Sequence, residues 1–407
     1  MRLKGKNHLC KDKRSPFAFV MKRIGSRKSL DYDGTSKECF MNNMKILDDS
    51  QTFEMQKFGG ISRYFYMLAK YNQGLYDYAL SGKYVDNVYV SELAKIDSFP
   101  IKKDFRGKGR FIRFANKRSN LKAIHGERYD VFHPTYYAPL AMPKNKPVVV
   151  TAHDFIHELF PTFFFQNDNT TELKKDIFKK ATRIIAISER TKKDLLSFFP
   201  EVSEERIDVV YHAIEWDLCE KKEPALVTAP YILFSGTRGI YKNFTLFLFA
   251  VAPLLKKYNL KLICTGGEFS PEEKALVRIL SVSDRVSNLF ANENTLKNLY
   301  QNAVCFVFPS LYEGFGLPIL EAFASKCPIA ISDASCFPEI AEDAAVYFDP
   351  YSQDDIREKV ENLICSESLR DELVEKGARR FKYFTMDSFI KNTAAVYRRA
   401  IELYGRN

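Results

Sequence analysis

The sequence has no Cys-x-x-Cys pair: its eight cysteines (10, 39, 219, 264, 305, 327, 336 and 365) are scattered singly along 407 residues. This argues against a structural zinc and for a reducing compartment, with Cys264 and Cys305 lying in apolar runs where a thiol packs as a small hydrophobe. A long apolar run is missing as well. The longest, Leu246 to Leu255, is about half the ~20 residues a spanning helix needs, and it contains Pro253. Phe17 to Met21 is too short for the ~7–15-residue apolar core of a secretory signal. No repeat and no low-complexity tract occurs.

What is present describes a folding chain. Hydrophobic residues make up 46% and charged residues 28%, an ordinary globular balance. At ~100–200 residues per domain, the length predicts two domains, or three. The net charge of +10 invites a nucleic-acid reading, but its location argues otherwise. Residues 1–43 carry 11 Lys/Arg against 4 Asp/Glu, which leaves 50 against 47 for the rest. The charge therefore sits in a basic stretch without helical or strand period, expected to be a flexible tail. An equal expectation is that these residues precede a true start at Met41 or Met44.

From Met44 onward short apolar runs alternate with amphipathic segments. Met44 to Leu47, Pro147 to Thr151, Ile184 to Ile187 and Val209 to Tyr211 read as buried strands, and Ile61 to Tyr71, Leu173 to Ala181 and Thr191 to Phe199 as helices. The pattern lapses over 215–230, where Cys-Glu-Lys-Lys-Glu-Pro-Ala has linker character, and then restarts. Tyr231 to Phe234, Lys261 to Cys264, Val286 to Phe290, Val304 to Phe308 and Pro328 to Ser332 are the next strands. Strict alternation predicts α/β architecture with parallel sheets: two doubly wound domains at 44–214 and 231–385, then a helix within 386–407.

The chemistry concentrates in Phe308-Pro-Ser-Leu-Tyr-Glu-Gly-Phe-Gly-Leu-Pro-Ile-Leu-Glu-Ala-Phe-Ala-Ser-Lys326. A buried strand runs into a loop with Gly314 and Gly316, and Pro318 suits the first turn of a helix. Open N–H groups at such a helix start favour an anion such as a phosphate. Glu313 lies before the helix and Glu321 within it, separated by seven residues, with Leu317, Leu320 and Ala324 as the packing stripe. A second loop, Phe234-Ser-Gly-Thr-Arg-Gly-Ile-Tyr-Lys-Asn243, places Arg238 and Lys242 where they can neutralise a diphosphate. No acidic metal-binding cluster accompanies them.

The Glu-Gly-Phe-Gly-x-Pro run with its second Glu resembles the signature of retaining, nucleotide-sugar-dependent glycosyltransferases of family 4. These share the GT-B fold, two Rossmann-like domains facing across a cleft, with room for a C-terminal helix that crosses back to the first domain. The resemblance covers roughly Met44 to Tyr404. It implies that Glu313 holds the donor sugar, Glu321 the ribose, and the loop of Gly314, Phe315, Gly316 and Leu317 the rest of the donor. Lys242 and Arg238 would grip its phosphates; many relatives carry Arg directly before Lys, whereas here Tyr241 stands there. Pro338 to Ala345 and Phe348-Asp-Pro350 also match the family and would complete the donor domain structurally.

The first half supports the same assignment. Gln56-Lys-Phe-Gly-Gly-Ile-Ser-Arg63 follows the first strand and opens a helix, so Gly59 and Gly60 allow close backbone approach across the cleft. Asp130 to Tyr137 and Val150-Thr-Ala-His-Asp154 resemble the acceptor-side domain, with His153 facing the donor sugar. A metal pair of His153 and His157 would require a helix and a third ligand that the sequence does not offer.

Together these readings predict transfer of a sugar from a nucleoside diphosphate sugar to a hydroxyl acceptor, a glycan or lipid-linked glycan, with retention, as in polysaccharide biosynthesis. The nucleotide sugar is a substrate, and neither cofactor nor metal is expected. The rivals are a sugar-nucleotide epimerase of the same fold and a basic module that binds nucleic acid or a membrane surface. The motifs leave the sugar, base and acceptor open. Lys102 to Arg128, with ten Lys/Arg against two acidic residues and Phe111 and Phe114 interspersed, is a basic amphipathic candidate. A cytoplasmic protein with peripheral contact at the inner membrane face is the expectation.

Overall fold

A computed structural model describes residues 44–82, 84–85, 87–93, 99–100, 105–126, 128–164 and 168–405. The basic stretch 1–43 lies outside the described residues, as do Lys102, Lys103, Asp104 and Glu127.

The first half contains β1 (Lys45–Asp48), α1 (Gln51–Met55), α2 (Gly60–Lys70), β2 (Asp77–Leu80), β3 (Tyr84–Val85), β4 (Phe99–Pro100), α3 (Lys108–Ile124), β5 (Val131–His133), β6 (Val149–Ala152), α4 (Ile156–Leu159), α5 (Thr170–Lys180), β7 (Arg183–Ala186), α6 (Glu189–Phe198) and β8 (Ile207–Val209). The second half contains β9 (Tyr231–Phe234), α7 (Phe244–Lys257), β10 (Lys261–Thr265), α8 (Pro271–Ile279), β11 (Val286–Leu289), α9 (Glu293–Asn302), β12 (Cys305–Phe308), α10 (Leu317–Ala324), β13 (Ile329–Ser332), α11 (Phe337–Ala341), β14 (Val346–Phe348), α12 (Gln353–Cys365), α13 (Glu367–Phe381) and α14 (Met386–Tyr404).

The second sheet runs β11-β10-β9-β12-β13-β14, all parallel. Its central strands β9, β12 and β13 are buried on both faces, so alternate residues feed two cores. Leu233, Phe306 and Ile331 enter one apolar cluster, and Ile232, Val307 and Ala330 the other. Counted along the half, the order is the doubly wound 3-2-1-4-5-6. Its reversal point falls between β9 and β12, where such sheets bind ligands beyond their strand ends. In the first half β2-β1-β5 and β6-β7-β8 are joined by the parallel bridge Phe132–Val148.

Two expectations shift. The strand expected at 209–211 lies at Ile207–Val209, because it pairs in register with Ile184 to Ala186. The 215–230 stretch begins inside the fold: Trp216 is buried and donates to Glu293 Oε1 (2.7 Å), and Cys219 N–H donates to Ala324 O (2.7 Å). The polar letters hid an anchoring indole.

Helix α14 starts at an N-cap, Thr385 Oγ1 accepting from Ser388 N–H (3.1 Å). Its apolar stripe, including Phe389, Ile390 and Tyr397, packs against β5, β6 and β7 in one core with Ile46, Phe65 and Val149. Each fully buried large side chain there stabilises by ~1.5–3 kcal/mol.

Helix α3 presents a different face from the one its phenylalanines suggest. Ile112, Asn116, Asn120 and Ile124 point inward, Asn120 Nδ2 donating to Ser50 Oγ (2.9 Å) and Asn116 Nδ2 to Glu54 Oε1 (2.7 Å). This polar seam fixes the rotation of the helix and leaves Phe114 81% exposed and Phe111 48%.

Candidate active site

The loop after β12 carries the site. Gly316 has φ 86°, a left-handed conformation that glycine adopts without steric cost, and caps α10 with Pro318 in the first turn. Gly314 packs so tightly that a Cβ there would lie 1.8 Å from the His153 carbonyl oxygen. Ser188 Oγ (2.7 Å) and Thr191 Oγ1 (3.1 Å) donate to the Gly314 carbonyl, so the loop of the second half is docked on the first. Glu339 of α11 accepts from Glu189 N–H (2.7 Å) and Arg190 N–H (3.0 Å), placing a carboxylate at the positive end of α6.

The two loops at the reversal point are tied together by Leu311 N–H donating to Tyr241 O (2.7 Å). This brings Lys242 Nζ onto Glu313 Oε1 as a close ion pair. Burial pulls the Lys242 ammonium toward neutrality, but Glu313 and Tyr241 outweigh it and leave its pKa raised. The Glu313 backbone is held from both ends by Ser335, whose hydroxyl accepts from its N–H (3.1 Å) and donates to its carbonyl (2.6 Å).

Arg238 faces the loop after β10. Its side chain is 5% exposed: Nε donates to Glu273 Oε1 (2.9 Å), Nη2 to Glu268 O (2.8 Å), and the guanidinium lies 4.6 Å from the Phe269 ring centroid. It braces the loop after β10. The Phe315 ring is buried against His212 and Phe384, so only the backbone is free for a ligand. Leu317 is half-buried against the core.

Helix α10 is buried on nearly every side, beyond a stripe of Leu317, Leu320 and Ala324, and Glu321 is itself buried. Burial raises its pKa; Arg63 and the Tyr300 hydroxyl oppose that. Arg63 Nη1 lies 3.4 Å from Glu321 Oε1, and Tyr300 Oη donates to Oε2 (3.3 Å). His153 directly follows β6, its N–H donating to Tyr137 Oη (3.1 Å) and its ring edge-on to Tyr64. Burial, with Lys174 adding, pulls its pKa down to about 3, so the imidazole is neutral at physiological pH.

Gly59 and Gly60 differ. A Cβ at Gly59 would meet Gln56 Oε1 at 2.4 Å, whereas Gly60 faces open space. His157 stacks on Phe164 and lies 3.7 Å from Asp168. Among the described residues no group of three His, Cys, Asp or Glu is arranged to hold a metal ion. Arg63, Ser188, Thr191 and Glu339 had no role in the sequence reading. For Arg63 the only signal was its place three residues after the glycine pair.

Two family models meet within the chain: "Glycosyltransferase Family 4" over residues 58–218 and "Glycosyl transferases group 1" over 219–380. The O-antigen chain mannosyltransferase RfbU of Salmonella typhimurium is 29% identical over 224 residues, which are 54% of this chain and 62% of that one. The chain thus spans about three-fifths of that relative. O-antigen chain mannosyltransferase B of Escherichia coli is 24% identical over 306 residues, 70% of this chain and 78% of that one. Among solved structures, the sucrose-phosphate synthase of Thermosynechococcus elongatus matches at TM-score 0.70 and 18% identity, covering 89% of this chain and 100% of that one. Anabaena HepE in complex with UDP and glucose matches at TM-score 0.69 and 16% identity, covering 86% and 98%. The chain belongs to glycosyltransferase family 4 and has the GT-B fold.

Proposed function

We propose that this protein transfers a hexosyl unit from a nucleoside diphosphate sugar to a hydroxyl of a glycan or lipid-linked glycan, with retention and without a metal. One observation carries the reading: Lys242, Glu313 and Gly314 from two loops of the second half meet at the sheet's reversal point, and Gly314 abuts His153 of the first half. A cation, a carboxylate and the start of α10 then surround one spot at the strand ends.

The diphosphate leaves as the glycosidic bond to it breaks. Lys242 and the N–H groups beginning α10 stabilise the charge formed on its oxygen. Glu313 orients sugar hydroxyls, and Glu321 holds the ribose. With no carboxylate assigned as nucleophile, the acceptor attacks from the face the phosphate leaves, and the departing phosphate accepts the acceptor's proton. His153, neutral, positions the sugar and supplies no proton of its own. The mannosyltransferase relatives make GDP-mannose the first donor to test, with UDP-hexoses beside it.

The exposed basic face of α3, Arg110, Arg113, Lys117 and Lys122 with Phe111 and Phe114, supports peripheral contact with an anionic membrane that would present a lipid-linked acceptor.

The test is incubation with each nucleotide sugar, with and without an acceptor extract. Acceptor-dependent release of nucleoside diphosphate supports transfer. An isomeric sugar nucleotide formed without acceptor would establish an epimerase instead.

A further inference from the structure

Arg63 leaves α2, passes the crossover at Glu215, and ends beside α10 of the other half. Its hydrogen bonding is incomplete. Nη1 lies 3.4 Å from Glu321 Oε1, Nε 3.7 Å from Glu215 Oε2, and Nη2 is buried without a partner. Charge-assisted hydrogen bonds run at ~2.7–2.9 Å, so neither contact is at full strength. Glu321 is equally underused, since Tyr300 Oη reaches Oε2 only at 3.3 Å. Glu215 turns its other oxygen, Oε1, to Tyr71 Oη (2.8 Å) and Lys70 Nζ (3.1 Å).

A buried guanidinium nitrogen lacking an acceptor, next to a carboxylate lacking close donors, is the complement of a vicinal diol. Each hydroxyl gives its hydrogen to the carboxylate and still offers lone pairs to the guanidinium. Nη2 is bonded to the same carbon as Nη1, so an oxygen hydrogen-bonded to Glu321 Oε1 lies within reach of it. We propose that Arg63 and Glu321, one from each half, clamp the ribose diol of the bound nucleotide, Glu321 accepting and Arg63 Nη2 donating. This rests on the reading of the cleft as a nucleotide site. It makes Arg63 a specificity-determining residue for the ribose and links donor binding to contact between the halves.

A purely structural role would make Arg63 a brace that every ligand feels alike. Calorimetry on the full chain separates the two, using GDP and UDP with their 2′-deoxy and 3′-deoxy analogues against wild type, Arg63→Met and Arg63→Lys. The clamp predicts that Arg63→Met weakens the ribonucleotide ~10-fold while barely changing the analogue that lacks the contacted hydroxyl, with Arg63→Lys in between because it keeps charge but not the fork. Equal weakening of ribo and deoxy ligands, or no weakening, would overturn the clamp while sparing the nucleotide site. Wild type binding no nucleotide would overturn the site reading and the clamp together. Should Arg63→Met not fold by circular dichroism, the ribo-to-deoxy ratio of Arg63→Lys decides.

Discussion

Lys242 and Glu313 lie 71 positions apart, yet in the fold each is the other's partner. In the proposed reaction, a lysine held charged here by a carboxylate turns to the diphosphate when the bond to the sugar breaks. Lys242→Ala should therefore lower turnover ~10²- to 10³-fold, with a native circular dichroism spectrum. Turnover near wild type would remove it from the site. Glu321→Ala should weaken the whole donor and the free nucleoside diphosphate alike, since a ribose contact does not depend on the sugar, whereas Glu313→Ala should spare the free nucleotide. Calorimetry with the reverse pattern would mean the two roles are exchanged. Away from the cleft, both carboxyl oxygens of Asp48 are buried without a hydrogen-bond partner. Burial raises its pKa well above 3.8, Asp49 adding to the rise and the nearby Tyr78 hydroxyl opposing it. Folding thus favours the protonated form of Asp48, and this contribution to stability, full below pH 3.8, is lost as pH rises through the folded value. Asp48→Asn, neutral throughout, should gain thermal stability over wild type as pH goes from about 5 to about 8; a constant difference would contradict this. The loop, the cap and the helix start around Gly316 were legible because their signals are local. The contacts of Arg238 and Arg63 were not, because they are made with distant residues, Arg63 meeting Glu321 258 positions away.

At the scale of elements, apolar four-residue runs such as β9 and β12, and β13 with its single terminal serine, announced themselves. The three-residue β5 did not. Its Val131, Phe132 and His133 become a strand through register with Ile46, Leu47 and Asp48, which composition does not show. Helix α3 was legible as basic and amphipathic, but its orientation followed from buried asparagines rather than phenylalanines. Reversing Arg110, Arg113 and Lys117 to Glu should abolish co-sedimentation with anionic liposomes at low salt, each cation contributing ~1 kcal/mol near such a surface. The comparison belongs in both the full chain and a chain beginning at Met44, so that the basic stretch does not mask the loss. Unchanged sedimentation would make a soluble acceptor the better reading. The loop before α10 offers a sharper test of docking. Gly314→Ala puts a methyl against the His153 carbonyl and should cost ~1–3 kcal/mol of stability, with turnover falling as Glu313 moves. A native melting point and rate would show that this contact is not needed.

At the scale of the whole molecule, the loops of the second half rest on the ends of β6 and α6 of the first. The chemistry proposed there needs a cation, helix N–H groups and two carboxylates. The central claim is that this spot binds a nucleoside diphosphate sugar through Glu321 without a metal. Its most direct test is calorimetric titration of GDP-mannose and UDP-hexoses into wild type and Glu321→Ala, with EDTA present throughout. Binding of one nucleotide class should be saturable, persist in EDTA and weaken at least ~10-fold in the variant, the loss of about 1.4 kcal/mol of contact. Binding that vanishes in EDTA and returns with magnesium or manganese, or that is indifferent to Glu321, would contradict it.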